Sequence, residues 1–172
     1  MANEPDNSGD FDALAYRRAL GGFGTGVALV AAHDPEGRAH GMIINSLTSV
    51  SLNPPIMLWC LGNSSNAFPV FTNAAAFSLN ILRSDDHEVA QRFSRKGDRI
   101  IPPDQVCTME TGAPVLKAAV ASLDCRTRLR QPMGDHEVIY GDVVTYRVDH
   151  GVDALGFFRG RFMTLKSDKP DS

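Results

Sequence analysis

Between Asn45 and Ser51 the chain carries short hydrogen-bonding side chains and no charge: Asn45, Ser46, Thr48, Ser49 and Ser51, with Leu47 and Val50 set among them. Such hydroxyls and amides, beside free backbone N–H groups, suit a neutral planar ligand rich in acceptors, or a phosphate. They also suit a polar outer strand ahead of a turn, where Ser, Thr and Asn are common. Two features favour a ligand. The run is uncharged, and apolar strands flank it, Met42 to Ile44 before and Ile56 to Leu61 after. Polar groups trapped between packed strands must find partners.

A second cluster, Arg92, Arg95 and Lys96 beside Ser94, gathers near Gly97 at the predicted end of a helix. Basic residues there complement the helix dipole; they equally suit an anion clamp for a phosphate. His136, in Gly134-Asp135-His136, opens a strand and is either a solvated turn histidine or a catalytic one. The other histidines are scattered, without H-E-x-x-H spacing, and no G-x-S-x-G elbow marks a serine nucleophile. No metal site is expected. Cys60 sits in an apolar run, where a thiol is an inert packing group rather than a nucleophile. The glycine-rich stretch 21–27, GGFGTGV, runs from helix into strand. That is the reverse of the dinucleotide fingerprint, and no G-K-[ST] follows, which argues against Rossmann and P-loop sites. What remains is a neutral cradle, a candidate clamp and no acid–base machinery. Hydride transfer to a held redox cofactor needs little else, because the cofactor carries the chemistry.

The elements that would position these residues are mostly strands. Asp10 or Asp12 is expected to cap a helix over Phe11 to Leu20, stopped at Gly21. Val27 to His33 and Ala39 to Ile44 form a hairpin about the Asp34-Pro35-Glu36-Gly37 turn. Ile56 to Leu61 is a strand, Ala67 to Asn73 a short helix, Ala76 to Leu82 a strand. A helix from Asp86 to Phe93 follows, with Asp85 and Glu88 at capping-box spacing. Residues 98–118 form an irregular excursion. Ala119 to Leu129 alternates, with Ser122, Asp124, Arg126 and Arg128 on the outward face. Gln131 to Asp135 turns, His136 to Val148 is a strand with a bulge at Gly141, and Arg161 to Leu165 closes the chain. About seven strands without strand–helix–strand alternation predict a mainly β protein, a closed antiparallel barrel with short helical insertions.

The 172 residues fit one domain over 10–166, with loose tails at 1–9 and 167–172. A net charge of −3 gives no reason to expect nucleic acid or an anionic membrane as partner. No apolar run approaches a membrane span, and the polar start lacks a signal-peptide core. Three widely spaced cysteines, Cys60, Cys107 and Cys125, point to reduced thiols in a cytoplasm.

Five segments in order resemble the flavin reductase family with the FMN-binding split-barrel fold. They are Phe23-Gly24-Thr25-Gly26-Val27; Asn45 to Pro55; Phe77 to Leu82 with Val89 to Ser94; Gly112 to Leu116; and Gly134-Asp135-His136 with Gly141-Asp142-Val143. The family usually has an aromatic residue at Leu47 and aspartate at Asn53. The resemblance implies an NAD(P)H:flavin oxidoreductase, using FMN or FAD with NADH or NADPH and supplying reduced flavin to a partner monooxygenase. It implies a homodimer with flavin near the interface. The ring would lie against Asn45, Ser46 and Leu47. The ribityl and phosphate would lie near Ser49, Ser51, Cys60, Asn63, Ser65 and the Ser94-Arg95-Lys96 corner. Thr25 and Asn80 complete the implied cofactor contacts. His136 is the implied catalytic-site residue, positioning the nicotinamide. The alternative on the same fold is a non-catalytic flavin-binding electron carrier.

Overall fold

The run Ala28–His33 (β2) is apolar at all but its last position, and the computed structural model gives the reason: both faces are buried. Ala28, Val30 and Ala32 enter one core with Trp59, Phe71, Phe77, Leu79 and Ile139. Val27, Leu29 and Ala31 enter a second with Leu82, Phe93, Ile101, Leu116 and Leu155. This is the period-two geometry of a strand with apolar partners on either side. Trp59 meets Phe71 and Phe77 edge-on, centroids 5.4 and 5.8 Å apart, an arrangement that ring quadrupoles favour.

The structure describes residues 11–166, so both expected tails lie outside the described residues, as does Asp10. Three helices, α1 (Ala13–Leu20), α2 (Phe68–Asn73) and α3 (His87–Ser94), are set among strands. The first five strands are β1 (Thr25–Gly26), β2, β3 (Ala39–Ile44), β4 (Thr48–Leu52) and β5 (Pro55–Gly62). After α2 come β6 (Ala76–Ile81), α3, and the short pair β7 (Val106–Thr108) and β8 (Pro114–Leu116). Two long strands, β9 (Ala121–Met133) and β10 (His136–Val148), precede β11 (Ala154–Phe158) and β12 (Arg161–Leu165).

The main sheet has seven strands in the order β3-β2-β6-β9-β10-β5-β4; a small sheet, β1-β11-β12, stands beside it. The expected closed barrel is not formed. β3 and β4 are the opposite edges of the sheet, yet only Asn45, Ser46 and Leu47 separate them in sequence. Four Cα steps from Ile44 to Thr48 span at most about 14 Å, so the sheet must curl until its edges nearly meet. The gap is crossed by a covalent strap instead of a ladder of hydrogen bonds. The barrel is split at the uncharged run that the sequence singles out.

Several local expectations are corrected. Asp12 caps α1, its carboxylate accepting from the N–H groups of Leu14 (2.9 Å) and Ala15 (3.0 Å). The Asp85–Glu88 capping box does not form; Asp86 takes the N-cap position and its carboxylate accepts instead from the Arg83 N–H at 2.8 Å. β9 and β10 run on to a two-residue turn at Gly134-Asp135, so no turn starts at Gln131. Ser122 and Asp124, expected outward, are fully buried. The 98–118 excursion covers that face: Thr111 donates its N–H (2.8 Å) and its hydroxyl to the Asp124 carboxylate. The same excursion guards the β3 edge, where Gly41 donates to the Arg99 carbonyl (2.8 Å) and Ile101 to the Ala39 carbonyl (2.7 Å). The bulge at Gly141 is present as a register shift, and a Cβ there would lie 2.6 Å from Phe77.

Candidate functional site

The strap across the split forms one wall of a groove of about 640 Å³, a size typical of small-ligand sites. Asn45, Ser46, Leu47 and Thr48 line it from one side. Leu20, Phe23, Gly24, Thr25, Val27, Ala28 and Ile81 line it from the other. The Cys60 N–H donates to the Ser46 hydroxyl at 3.0 Å, which pins the strap to β5. The Thr25 hydroxyl oxygen is buried and has no hydrogen-bond partner. An unmade hydrogen bond of this kind costs about 1–3 kcal/mol, and a polar ligand atom would recover it. Apolar walls with a few polar groups at the edges suit a flat heterocycle with polar substituents. The donor set therefore fits a flavin ring.

A recess of about 350 Å³ adjoins the groove, sharing Val27 and Asn45 with it. Ile43, Ile44, Ser94, Phe157 and Phe162 complete its lining. It leads to the C-terminal end of α3 and its basic corner. Two of the arginines there serve the backbone: Arg92 donates to the Ile100 carbonyl (2.9 Å) and Arg99 to that of Phe93 (3.0 Å). Arg92 also faces Asp98 at 3.4 Å. Arg95 and Lys96 are exposed and, among the described residues, pair with no carboxylate.

Thr25, Asn45, Ser46 and Leu47 are thus brought together at the groove, with Ser94 next door and Cys60 attached through its N–H. The remaining predicted residues lie elsewhere. Ser49 and Ser51 continue along the edge strand β4. Asn63 donates its N–H to the Asp135 carbonyl, and Ser65 accepts from the Ala67 N–H at the start of α2. His136 pairs with Gly62 across the β5–β10 ladder, its Nδ1 2.7 Å from an Asp135 carboxylate oxygen. That contact, with the charge on the ring, holds the Asp135 carboxyl below its ordinary range. Asn80 is not at the groove. Its side chain is fully buried, donating to the Leu29 carbonyl (3.1 Å) and the Ser78 hydroxyl (2.8 Å) and accepting from the Leu116 N–H (3.1 Å). It stitches β2 and β6 to β8 and has no spare group for a ligand.

Sequence reasoning overlooked the groove's apolar walls, Leu20, Phe23 and Ile81, and the recess residues Phe157 and Phe162. For the last two a signal existed: Arg159-Gly160 between the apolar runs Ala154–Phe158 and Arg161–Leu165 is a hairpin signature.

Comparison with known proteins agrees with this geometry. The chain is 40% identical over 157 residues to the actinorhodin polyketide dimerase of Streptomyces coelicolor, covering 91% of this chain and 88% of that protein. It is 38% identical over 154 residues to an NADH-dependent FMN reductase of Agrobacterium fabrum, covering 90% and 87%. Among solved structures, the NADH:FAD oxidoreductase of Streptomyces globisporus C-1027, in complex with NAD and FAD fragments, superposes with a TM-score of 0.82 at 31% identity, covering 92% of this chain and 96% of that one. The styrene monooxygenase flavin reductase of Pseudomonas putida S12 superposes with a TM-score of 0.79 at 28% identity, covering 90% and 99%. Residues 20–166 match the family described as the flavin reductase like domain, and the chain belongs to that family.

Proposed function

We propose that the protein is an NAD(P)H-dependent flavin reductase that takes FMN or FAD and supplies reduced flavin to a partner monooxygenase. The observation that carries this reading is the uncharged, mainly apolar groove at the barrel split, walled by the Asn45–Thr48 strap and by Thr25, whose buried hydroxyl has no hydrogen-bond partner. A bound flavin supplies the hydride acceptor, and the nicotinamide nucleotide supplies the hydride. The chain's own residues orient and shield. Leu20, Phe23 and Leu47 exclude water from the faces of a flat ring. Backbone N–H groups of the Asn45–Leu47 strap, with the Asn45 amide and Thr25 hydroxyl, offer donors where negative charge develops on reduction. Ser94, which lines the adjoining recess, and its neighbours Arg95 and Lys96 are the residues we assign to a flavin phosphate. Ser49, Ser51, Asn63 and Ser65 stay outside the groove of the single chain, and we assign them no direct contact there. His136 positions the nicotinamide and is not required as an acid.

The groove is open to solvent on its Phe23 side, where that ring is 77% exposed. An open slot favours exchange of the flavin, consistent with a flavin used as a substrate that diffuses to an oxygenase. The reduced state expected of the cysteines fits a cytoplasmic setting. Among the described residues no helix is long and apolar enough to cross a membrane.

The test is spectroscopic. Purified protein mixed with NADH or NADPH should consume the nicotinamide band only when FMN or FAD is added. Flavin binding without nicotinamide loss would leave the electron-carrier reading in its place.

A further inference from the structure

A recess of about 430 Å³ lies at the C-terminal end of α1, lined by Arg17, Arg18, Gly21, Arg159 and Gly160. Three arginines from two chain segments line it. Among the described residues none of the three pairs with a carboxylate. Arg95, Arg126 and Arg161 also lack an acid among the described residues, but they lie singly and not around one recess. Arg38, Arg83, Arg92 and Arg128 each face an acid, and Arg99, Arg130 and Arg147 donate to carbonyls.

Compensation of the α1 dipole accounts for Arg17 and Arg18. It does not account for Arg159, which comes from the β11–β12 turn. Arg159 is the one non-glycine described residue in the left-handed region, with φ +48. Its N–H donates to the Gly21 carbonyl at 2.9 Å, and its guanidinium lies 5.0 Å above the Phe158 ring. The turn is thereby fastened to the end of α1 so that the third arginine joins the other two. Like charges gathered without an acid repel one another, and a bound anion removes that cost. Planar forks of this kind match phosphate oxygens in pairs.

The recess borders the groove. Gly21 lines the recess, while Leu20, Phe23 and Gly24 line the groove. Arg17 and Leu20 differ by about 4.5 Å along the helix axis. In the proposed reading the flavin's own phosphate is assigned to the Ser94-Arg95-Lys96 corner beyond the other recess.

We infer that Arg17, Arg18 and Arg159 form a phosphate subsite for the diphosphate of an adenine dinucleotide whose reactive ring lies at the groove. The inference rests on the proposed flavin reductase reading. With the flavin's own phosphate assigned to the Ser94-Arg95-Lys96 corner, the diphosphate belongs to the nicotinamide dinucleotide.

The test uses the full chain, the double variant Arg17→Gln/Arg18→Gln and, separately, Arg159→Asn, whose new side chain tolerates a positive φ. ADP is the probe for direct binding by calorimetry. Both variants should weaken ADP on the order of tenfold, the scale of one lost charge-assisted hydrogen bond. FMN affinity, followed by fluorescence quenching, should stay within about twofold, since its contacts do not involve these residues. A selective rise in KM for NADH, with KM for reduced nicotinamide mononucleotide unchanged, assigns the site to the nicotinamide dinucleotide. A loss of FAD affinity with KM for NADH unchanged would overturn that assignment. Wild-type protein that does not bind ADP, variants that bind it as well as the wild type, or equal weakening of FMN and FAD would overturn the subsite. Failure of wild-type protein to oxidise NADH with added FMN would sink the reductase reading instead, so the two failures are separable.

Discussion

Ser46 and His136 show what single residues contribute. Ser46 spends its acceptor on the Cys60 N–H at 3.0 Å and so fixes the strap that crosses the split. His136 has a different setting. Its ring stands at the tip of β10, half exposed, with Nδ1 held by Asp135 and with Gly62 across the ladder. A Cβ at Gly62 would lie 3.6 Å from Nε2, an ordinary van der Waals contact. His136→Ala should raise KM for NADH about tenfold, the value of one hydrogen bond to a charged or polar ligand group. FMN affinity should hardly move. Parallel losses in both would mean that the ring only braces the β9–β10 tip. Why the strap stands out in the sequence while Asn80 falls among the implied cofactor contacts is a matter of context. The strap's polar run is long and uncharged, whereas Asn80 belongs to a resembling segment whose ligand role cannot be told from a core role by residue type. Only burial, with every amide group satisfied, separates the two.

Among the elements, those most readable in the sequence bury both faces or obey a single period. β2 announced itself by an unbroken apolar run, and Gly141 by interrupting a strand. β9 was misread because its polar positions alternate correctly for a solvent face, yet the excursion folds over them and supplies donors to Asp124. β11 is short and was passed over between turns. The β2–β3 hairpin carries a test of its own. Asp34 is nearly buried, 3% exposed at the side chain, and meets Arg38 Nε at 2.7 Å and His40 Nε2 at 2.8 Å. Burial pushes its carboxyl pKa up. The Arg38 backbone and side-chain donors, with His40, outweigh that and leave it well below the ordinary 3.8. Below about pH 4 the unfolded chain therefore takes up a proton that the folded chain refuses. The stabilisation is full above that pH and fades as pH falls toward the depressed value. Asp34→Asn should lower Tm by a few degrees at neutral pH. The gap between variant and wild type should narrow in melts taken from pH 4 downward. A gap that is constant with pH would show that the carboxylate's charge is not what matters.

At the scale of the whole molecule, the single chain leaves apolar surface uncovered. Helix α1 buries none of its residues, and Leu14, Tyr16 and Leu20 are 60%, 50% and 53% exposed. On β10, Val144, Tyr146 and Val148 stand at alternate positions, on one face, and are 42%, 67% and 45% exposed. On the edge strand β4, Val50 and Leu52 are 47% and 88% exposed. Exposed apolar patches of this extent mark contact surfaces, and a second copy of the chain is the occupant we propose. Burying a Tyr and two Val side chains on each copy contributes several kcal/mol at roughly 25 cal/mol per Å². Two like-charged residues in the same strip would remove that gain and add repulsion. Wild-type protein should therefore sediment at twice the chain mass at micromolar concentration. Tyr146→Glu/Val148→Glu should sediment as a monomer with its circular dichroism retained. Because α1 and Phe23 wall the groove, the dimer also bears on the ligand if the partner lies against that side. FMN affinity should then fall on dilution of the wild type through its dissociation range, and should already be low in the variant. A wild type that is monomeric throughout would remove the dimer. A stable dimer whose FMN affinity ignores dilution and dissociation would leave each chain holding its flavin alone.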